Sequence, residues 1–329
     1  MQEQGQSSIK VQWVITLFGV LIFTIKIAAW YYTKSVSILT DALESTVNII
    51  SAFLGLYSLY LSAKPKDYDH PYGHGKIEFL TSAIEGSLIF MAGLIIIYES
   101  IIKISNPQIP SALDLGIILI GITAILNFIL GTVAVKVGRK NNSLALVSSG
   151  RHLQSDTYTT LGIIIGLLVI YFSKIYWLDS LIALIFAFII LRTGYKIIRE
   201  SIAGIMDEAD EKLLNKLILF LEEHRNPETI DLHNLRIIKY GSRLHLDCHI
   251  TVPYYYNVDQ AHEQVDRLEK IVAQYFGASV ELFVHVDGCI ESSCSLCLIE
   301  NCLVRKHAFK QRIVWNIENI SSNKKHRLE

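Results

Sequence analysis

Two hydrophobic segments of this sequence carry acidic and imidazole side chains at helical spacing. Asp41 and Ser45 stand four residues apart in one segment, and His152 and Asp156 stand four apart in the other. Residues four apart share one face of an α-helix. Facing helices would bring together two carboxylates, an imidazole and a hydroxyl or water oxygen, which is a ligand set for a four-coordinate divalent ion. The same spacing also allows an interhelical hydrogen-bond cluster that only holds the helices together.

The loop after the Asp41 segment concentrates further metal ligands. It reads Asp67-Tyr-Asp-His70-Pro-Tyr-Gly-His74-Gly-Lys-Ile-Glu78, with two imidazoles among several carboxylates. Its two glycines allow tight backbone bends. This concentration favours a metal-binding loop over the alternative of a solvated polar loop.

Four of the five cysteines lie close together near the C-terminus, as Cys289-x4-Cys294-x2-Cys297-x4-Cys302. In a reducing cytoplasm such thiols do not form disulfides. Four thiolates at short spacing predict a closed zinc site, or a site for another thiophilic ion. An iron–sulfur cluster uses similar spacings and is the second alternative, and unliganded thiols are the third. The polar, basic chain beyond Trp315 is expected to be disordered.

The elements that must position these residues divide the chain into a membrane half and a soluble half. The sequence has 329 residues, of which 51% are hydrophobic and 19% charged, and the hydrophobic residues concentrate before residue 200. A membrane-spanning helix needs about 20 mostly apolar residues. Six stretches qualify, near residues 11–32, 36–61, 79–102, 113–135, 144–172 and 176–191. A charge in mid-membrane costs about 2.5–3.5 kcal/mol on insertion scales, so Asp41 and Asp156 need a partner or a function.

Basic residues in the short loops predict the orientation of these spans. Alternate loops are rich in lysine and arginine, and the loops between them are poor in both. Basic loops stay on the cytoplasmic side, which places both termini in the cytoplasm of a multi-pass inner-membrane protein. A removable signal peptide is not expected, so the first span should be retained. The net charge of −1 says nothing about nucleic acid, but no basic tract is long enough to suggest such a partner, so none is expected.

The soluble half reads as helix, strand, strand, helix, strand. The stretch 244–252 alternates apolar and polar residues with period two, as does the stretch 280–287, and an amphipathic helix spans about 258–276 between them. The predicted fold is therefore an α-helical membrane protein with six transmembrane helices and a small cytoplasmic α/β, ferredoxin-like, C-terminal domain. Its expected parts are the spans in 1–206, the α/β domain in 207–288 and a cysteine-containing cytoplasmic tail in 289–329.

Three motifs on this framework resemble those of the cation diffusion facilitator family of metal-ion/proton antiporters. They are Ser37-Ile-Leu-Thr-Asp-Ala-Leu-Glu-Ser45, His70-Pro-Tyr-Gly-His-Gly-Lys-Ile-Glu78 and His152-Leu-Gln-Ser-Asp156, and the resemblance covers about residues 10–288. Asp41, His152 and Asp156 match three ligands of the family's transport site. The fourth position is often Asp or His in the family and is Ser45 here, which leaves ion identity and coordination number open.

The resemblance also implies two further groups of ligands. Asp67, His70 and His74 match a loop-borne metal site. A set in the C-terminal domain matches positions that bind metal at the family's dimer interface, or else consists of polar residues on an exposed sheet: His233, His249, His262, His285 and Asp287. The tail cysteines lie outside the family's pattern, so their role depends on spacing alone.

The expected function is export of divalent metal ions, zinc before the others, by a membrane-embedded homodimer that exchanges one ion for protons. Metal ligands must lose their protons to bind, so protons compete with the ion at His152. No nucleotide-binding Gly-Lys-Ser loop is present, which fits an exchanger driven by a gradient. No His-Glu-x-x-His helix occurs within the spans, so a membrane metalloprotease is not expected. A metal sensor or scaffold that binds without transporting is the remaining alternative.

Overall fold

The computed structural model describes residues 2–62, 64–105, 111–140, 144–240, 243–277 and 280–328. Six long helices come first: α1 (Gln2–Thr33), α2 (Val36–Ser62), α3 (Ile77–Ser105), α4 (Leu113–Lys140), α5 (Leu144–Ser173) and α6 (Trp177–Ile205). Within the described ranges, each of these six contains a stretch long and apolar enough to cross a membrane. The six predicted spans are therefore confirmed.

The last of these helices is longer than the apolar run suggested. The expected end was near residue 191, but α6 continues to Ile205. Arg192, Lys196 and Arg199 interrupt the apolar pattern, yet arginine and lysine are good helix formers. Charge therefore ends the apolar stretch without ending the helix.

A buried carboxylate on α6 fixes where α2 begins. Asp179 accepts hydrogen bonds from the Ser35 hydroxyl at 2.7 Å and from the backbone N–H groups of Val36 at 2.7 Å and Ser37 at 3.2 Å. The first N–H groups of a helix have no partner within the helix, so this carboxylate satisfies them. Asp179 thus holds in place the helix that carries Asp41.

Helices α4 and α5 approach closely where glycines face each other. A Cβ atom at Gly150 would lie 2.7 Å from the Gly131 carbonyl oxygen and 2.8 Å from the backbone nitrogen of Val135. Small residues at such crossings allow helix backbones in membranes to pack against each other. This contact lies two residues before His152 on α5.

We expect Gly150→Ala to destabilise the membrane-spanning part because its methyl group would push α4 and α5 apart. Overpacking of this kind costs about 1–3 kcal/mol, and thermal unfolding in detergent should report it as a lower Tm. Gly121→Ala on α4 is the matched control, since a Cβ there meets no atom within 4 Å. Equal Tm values for the two variants would contradict the close packing at Gly150.

Contacts divide the chain into two units. Residues 1–59 and 80–202 form the membrane unit, and residues 60–79 and 203–329 form the C-terminal unit. The C-terminal unit contains α7 (Glu211–Glu223), β1 (Asp231–Tyr240), β2 (Arg243–Val252), α8 (Val258–Phe276) and β3 (Val280–Gly288). Strand β2 lies in the centre, antiparallel to β1 and parallel to β3. The predicted order of helix, two strands, helix and strand is confirmed.

The core of the C-terminal unit extends into the stretch beyond Trp315 that was expected to be disordered. Trp315 and Ile320 are buried, and they pack with the leucines of α7 and the apolar face of β2. A short helix, α9 (Ile317–Ile320), presents Ile320 to this core. The expectation of disorder beyond Trp315 is therefore wrong, because a few apolar side chains dock a segment whose average composition is polar.

Candidate metal sites

The membrane unit encloses a cavity of about 340 Å³ beside α2 and α5. Ser45 from α2 and both His152 and Asp156 from α5 contribute to its wall. Asn48 and Glu85 supply further oxygen and nitrogen atoms. Three of the four predicted transport-site side chains therefore line one cavity.

Asp156 is the most enclosed ionisable group of that wall. Its Oδ2 accepts a hydrogen bond from the Asn48 amide at 2.9 Å, and its Oδ1 lies 3.8 Å from Nε2 of His152. The Asp156 side chain is 8% exposed and that of His152 is 56% exposed. A carboxylate and an imidazole one helical turn apart can share a metal ion, with the amide orienting the carboxylate.

Asp41 has a different partner. Lys26 of α1 is buried and places its ammonium nitrogen 2.8 Å from Oδ1 of Asp41, which also accepts a hydrogen bond from Thr160 at 2.9 Å. Its Oδ2 is buried without a hydrogen-bond partner in the described part of the chain. The Ser45 hydroxyl donates to the backbone oxygen of Asp41 at 3.0 Å. Asp41 is therefore held by an internal cation, and it does not line the cavity of His152 and Asp156.

Lys26 was not among the residues expected at the site. The signal was present in the sequence, because Lys26 is a single charge inside an otherwise apolar span. An ionisable residue in such a position needs a partner or a function. Reading each charge inside a span as a candidate would have found it.

In the described ranges, ligand atoms from three or more His, Cys, Asp or Glu residues converge within 4.8 Å in two places. The first is the loop predicted from sequence. Asp67 Oδ1 lies 3.0 Å from Nδ1 of His70, and Asp67 Oδ2 lies 3.3 Å from Nε2 of His74. Gly73 has a φ of +90°, which glycine adopts without strain, and its N–H closes the turn on the His70 carbonyl at 2.9 Å.

The charge state of this loop suits cation binding. Desolvation alone would raise the pKa of Asp67. The hydrogen bonds from the backbone and ring of His70, together with the nearby imidazoles, outweigh it and hold the pKa below its usual range. Asp67 therefore stays ionised between two imidazoles that can accept a metal ion.

The loop belongs with the C-terminal unit. Lys66 pairs with Glu281 of β3 at 2.6 Å, and the Tyr72 ring stacks on Tyr240 of β1 at 5.6 Å between centroids. The sequence placed this loop between spans two and three and could not show what it packs against. His245, which has no expected metal role, is buried next to Tyr72 and lies 3.3 Å from Glu281.

The second convergence is a row of histidines across the C-terminal sheet. His233 on β1 is in register with His249 on β2, which is in register with His285 on β3. The ring centroids of His233 and His249 lie 5.2 Å apart, and those of His249 and His285 lie 4.7 Å apart. Asp287 Oδ2 lies 3.5 Å from Nε2 of His233 and 3.4 Å from Nδ1 of His249. These three residues form the compact triad.

Two predicted members of this set lie outside the triad. His285 is exposed at the end of the row, with Nε2 3.8 Å from Asp287 Oδ1. His262 is exposed on α8, where it faces Asp266 of its own helix at 3.6 Å. Both imidazoles are therefore accessible at the surface.

Burial and neighbouring charge keep the imidazole of His249 in its metal-binding form. Desolvation, followed by the nearby His233 and His285, lowers the pKa of His249, and Asp287 opposes this only in part. A neutral imidazole binds metal without first losing a proton. The triad is thus suited to bind a cation near neutral pH.

Two basic residues near the C-terminus, Lys325 and His326, lie beside this triad. Lys325 lies 3.5 Å from Asp287 Oδ1, and the His326 ring hydrogen-bonds Asp231 beside His233. Desolvation would raise the pKa of Asp231, but the hydrogen bonds from His233 and His326 lower it well below its usual range. At Asp287, the ammonium group of Lys325 therefore competes with a metal ion for the carboxylate.

We expect Lys325→Ala to tighten divalent-ion binding at the triad about fivefold, because a partly exposed ion pair is worth up to about 1 kcal/mol. Zinc titration of the full chain by calorimetry measures this, in a background carrying His70→Ala and Asp156→Asn to weaken the other sites. Lys324→Ala removes the same charge one residue earlier from an exposed side chain and is the control. Equal affinities for the two variants would exclude competition by Lys325.

The four tail cysteines line a separate cavity of about 390 Å³ in the C-terminal unit. Within the described residues, which include all four, no three of their sulfur atoms lie within 4.8 Å of one another. Cys248 lies elsewhere, in the sheet core, as predicted, and burial raises the pKa of its thiol to about 12.

Both units resemble domains of known cation efflux proteins. Residues 12–206 match the model of the cation efflux transmembrane domain, and residues 209–289 match that of the cation efflux protein cytoplasmic domain. An uncharacterized transporter of Synechocystis sp. is 33% identical over 254 residues, which cover 76% of this chain and 81% of the relative.

The names of two relatives from Bacillus subtilis state the ions that they move. The manganese efflux system protein MneP is 24% identical over 297 residues, covering 88% of this chain and 99% of the relative. A cadmium, cobalt and zinc/H(+)-K(+) antiporter is 27% identical over 242 residues, covering 73% of this chain and 76% of the relative. With six apolar helices, the predicted motifs and matches to both domain models, this chain belongs to the cation diffusion facilitator family of membrane proteins that export metal cations.

Proposed function

We propose that this protein exports zinc from the cytoplasm through the membrane unit in exchange for protons. The observation that carries the proposal is the membrane-unit cavity whose wall includes the polar side chains of Ser45, His152 and Asp156. An imidazole, a carboxylate and a neutral oxygen suit zinc, which prefers nitrogen and oxygen ligands in four-coordinate sites when thiolates are absent. Asp41 becomes a further ligand once the ammonium group of Lys26 no longer pairs with its carboxylate.

Proton coupling follows from the chemistry of the same ligands. His152 and Asp156 must be deprotonated to hold an ion, and protons must leave when the ion enters. Protons and a metal ion compete for the same lone pair of an imidazole such as that of His152. At the more acidic outer face protons displace the ion, and at the cytoplasmic face the ion displaces protons.

We further propose a homodimer in the inner membrane with both termini in the cytoplasm. The match to a dimer-forming cytoplasmic domain and the basic loops support this arrangement. The exposed aromatic side chains of the spans, such as Trp13, Phe172 and Phe188, suit contact with lipid. Metal bound at the triad and by His262 and His285 would reduce repulsion between two domains and favour transport when cytoplasmic metal rises.

The test is metal flux in proteoliposomes that contain only this protein. Zinc, cadmium, cobalt, manganese, iron and nickel are supplied one at a time, and a pH-sensitive dye inside the vesicles reports proton movement. We expect zinc uptake with opposite proton movement, and faster transport when the vesicle interior is more acidic. Transport of manganese or iron without transport of zinc would identify that metal, and not zinc, as the exported ion. Binding without flux of any ion would identify a sensor or scaffold.

A further inference from the structure

The cysteine-rich segment after β3 is built around one cavity. The backbone N–H of Cys289 donates to the Val252 carbonyl at 2.8 Å, which anchors the segment at the ends of β2 and β3. Cys294 lies in a 3₁₀ helix (Glu291–Ser295), and Cys297 is buried. Together with Cys302 these thiols contribute to the lining of a cavity of about 390 Å³. Residues separated by up to 13 positions therefore converge on one space.

Two basic residues, Arg305 and Lys306, also line this cavity. The Arg305 guanidinium donates to the carbonyl oxygens of Cys294 at 3.0 Å, Cys297 at 3.1 Å and Ile299 at 2.5 Å. The backbone N–H of Lys306 points to the sulfur of Cys294 at 3.5 Å. Hydrogen bonds to the sulfurs and neighbouring charge tune thiolate-bound metal centres. Arg305 thus fixes the loop around the thiols and offsets their negative charge when they ionise.

The four thiols do not have the close packing of a closed zinc site. Zinc holds each sulfur at about 2.3 Å, so four sulfurs around one ion lie about 3.8 Å apart. The described chain includes all four cysteines, yet no three of their sulfurs lie within 4.8 Å of one another. The ligand atoms of the loop and of the sheet triad do meet that distance. The four thiols thus line a cavity of about 390 Å³ without the close sulfur packing of a closed mononuclear site.

We propose that Cys289, Cys294, Cys297 and Cys302 hold an iron–sulfur cluster. A cluster separates its thiolates by an inorganic core of iron and sulfide, which requires a wider cavity than one ion does. The run Cys289-x4-Cys294-x2-Cys297 has the spacing of one class of cluster-binding sequence. The cluster is a resident group of the C-terminal unit, distinct from the ions that the membrane unit transports.

The test is analysis of the full chain purified in detergent without oxygen and without added metal. We expect iron and acid-labile sulfide in equal amounts, with visible absorbance that bleaches on reduction by dithionite. The number of irons per chain and the paramagnetic resonance spectrum distinguish the cluster types. Apo-protein treated with ferrous iron and sulfide should regain the same spectrum.

Matched cysteine variants separate ligands from a structural thiol. Cys294→Ser and Cys297→Ser should lose the iron, the sulfide and the absorbance. Cys248→Ala should keep them, because that thiol is in the sheet core and does not line the cavity. Colourless wild-type protein with one zinc per chain that Cys294→Ser and Cys297→Ser lose would overturn the proposal in favour of a mononuclear site. Wild-type protein that retains no metal, exposes four reactive thiols and takes up no cluster would also overturn it.

Discussion

Replacing Asp156 with asparagine is expected to abolish zinc export. The substitution keeps the size of the side chain and its place in the cavity wall, but it removes the negative charge next to His152. Loss of even an outer-shell partner costs about 10–100-fold in metal affinity or activity, so loss of a charged ligand should lower flux by at least about 100-fold. Initial rates of zinc uptake into proteoliposomes at low zinc concentration measure the effect.

Asp114→Asn is the matched control for this prediction. Asp114 is an exposed carboxylate in the first turn of α4 and does not line the cavity. The Asp114→Asn variant carries the same chemical change in the same unit and should transport zinc at the wild-type rate. Size-exclusion chromatography shows whether both variants fold and associate normally. Near-normal flux by folded Asp156→Asn protein would remove Asp156 from the transport site.

The sequence was sufficient to predict the helices and which residues share a face of each one. Hydrophobic length identified the spans, and a spacing of four placed His152 and Asp156 on the same side of α5. Such patterns describe one helix at a time. They do not show which helix faces which, so the pairing of Lys26 on α1 with Asp41 on α2 could not be read from them.

The C-terminal unit illustrates a different limit of prediction from sequence. Period-two alternation predicted the strands well, because the apolar side of β2 is buried in the core. The polar side was harder to interpret, since His245 and Thr251 on that side are buried as well. Tyr72, from the distant loop between α2 and α3, packs against His245. The burial of His245 thus involves a segment far away in sequence, which local periodicity does not detect.

Lys26→Met is expected to tighten metal binding at the transport site by about 100-fold. Lys26 and Asp41 form a buried ion pair, and a metal ion that binds Asp41 must displace the ammonium group. Methionine fills a similar space without a charge and leaves a buried carboxylate unpaired, which costs the metal-free protein about 3–5 kcal/mol. A divalent ion relieves most of that cost on binding. At about 1.4 kcal/mol per factor of ten, a recovery of about 3 kcal/mol gives the expected change.

The same substitution should slow export, because an ion held more tightly leaves more slowly. Zinc titration measures the affinity, and proteoliposome flux at saturating zinc measures the turnover. Lys26→Arg keeps the charge at the pair and should preserve wild-type affinity. Lys34→Met removes an exposed lysine just beyond the end of α1 and should change neither quantity. If Lys26→Met binds zinc with wild-type affinity, Asp41 does not exchange Lys26 for the ion, and the pair serves only to hold α1 against α2.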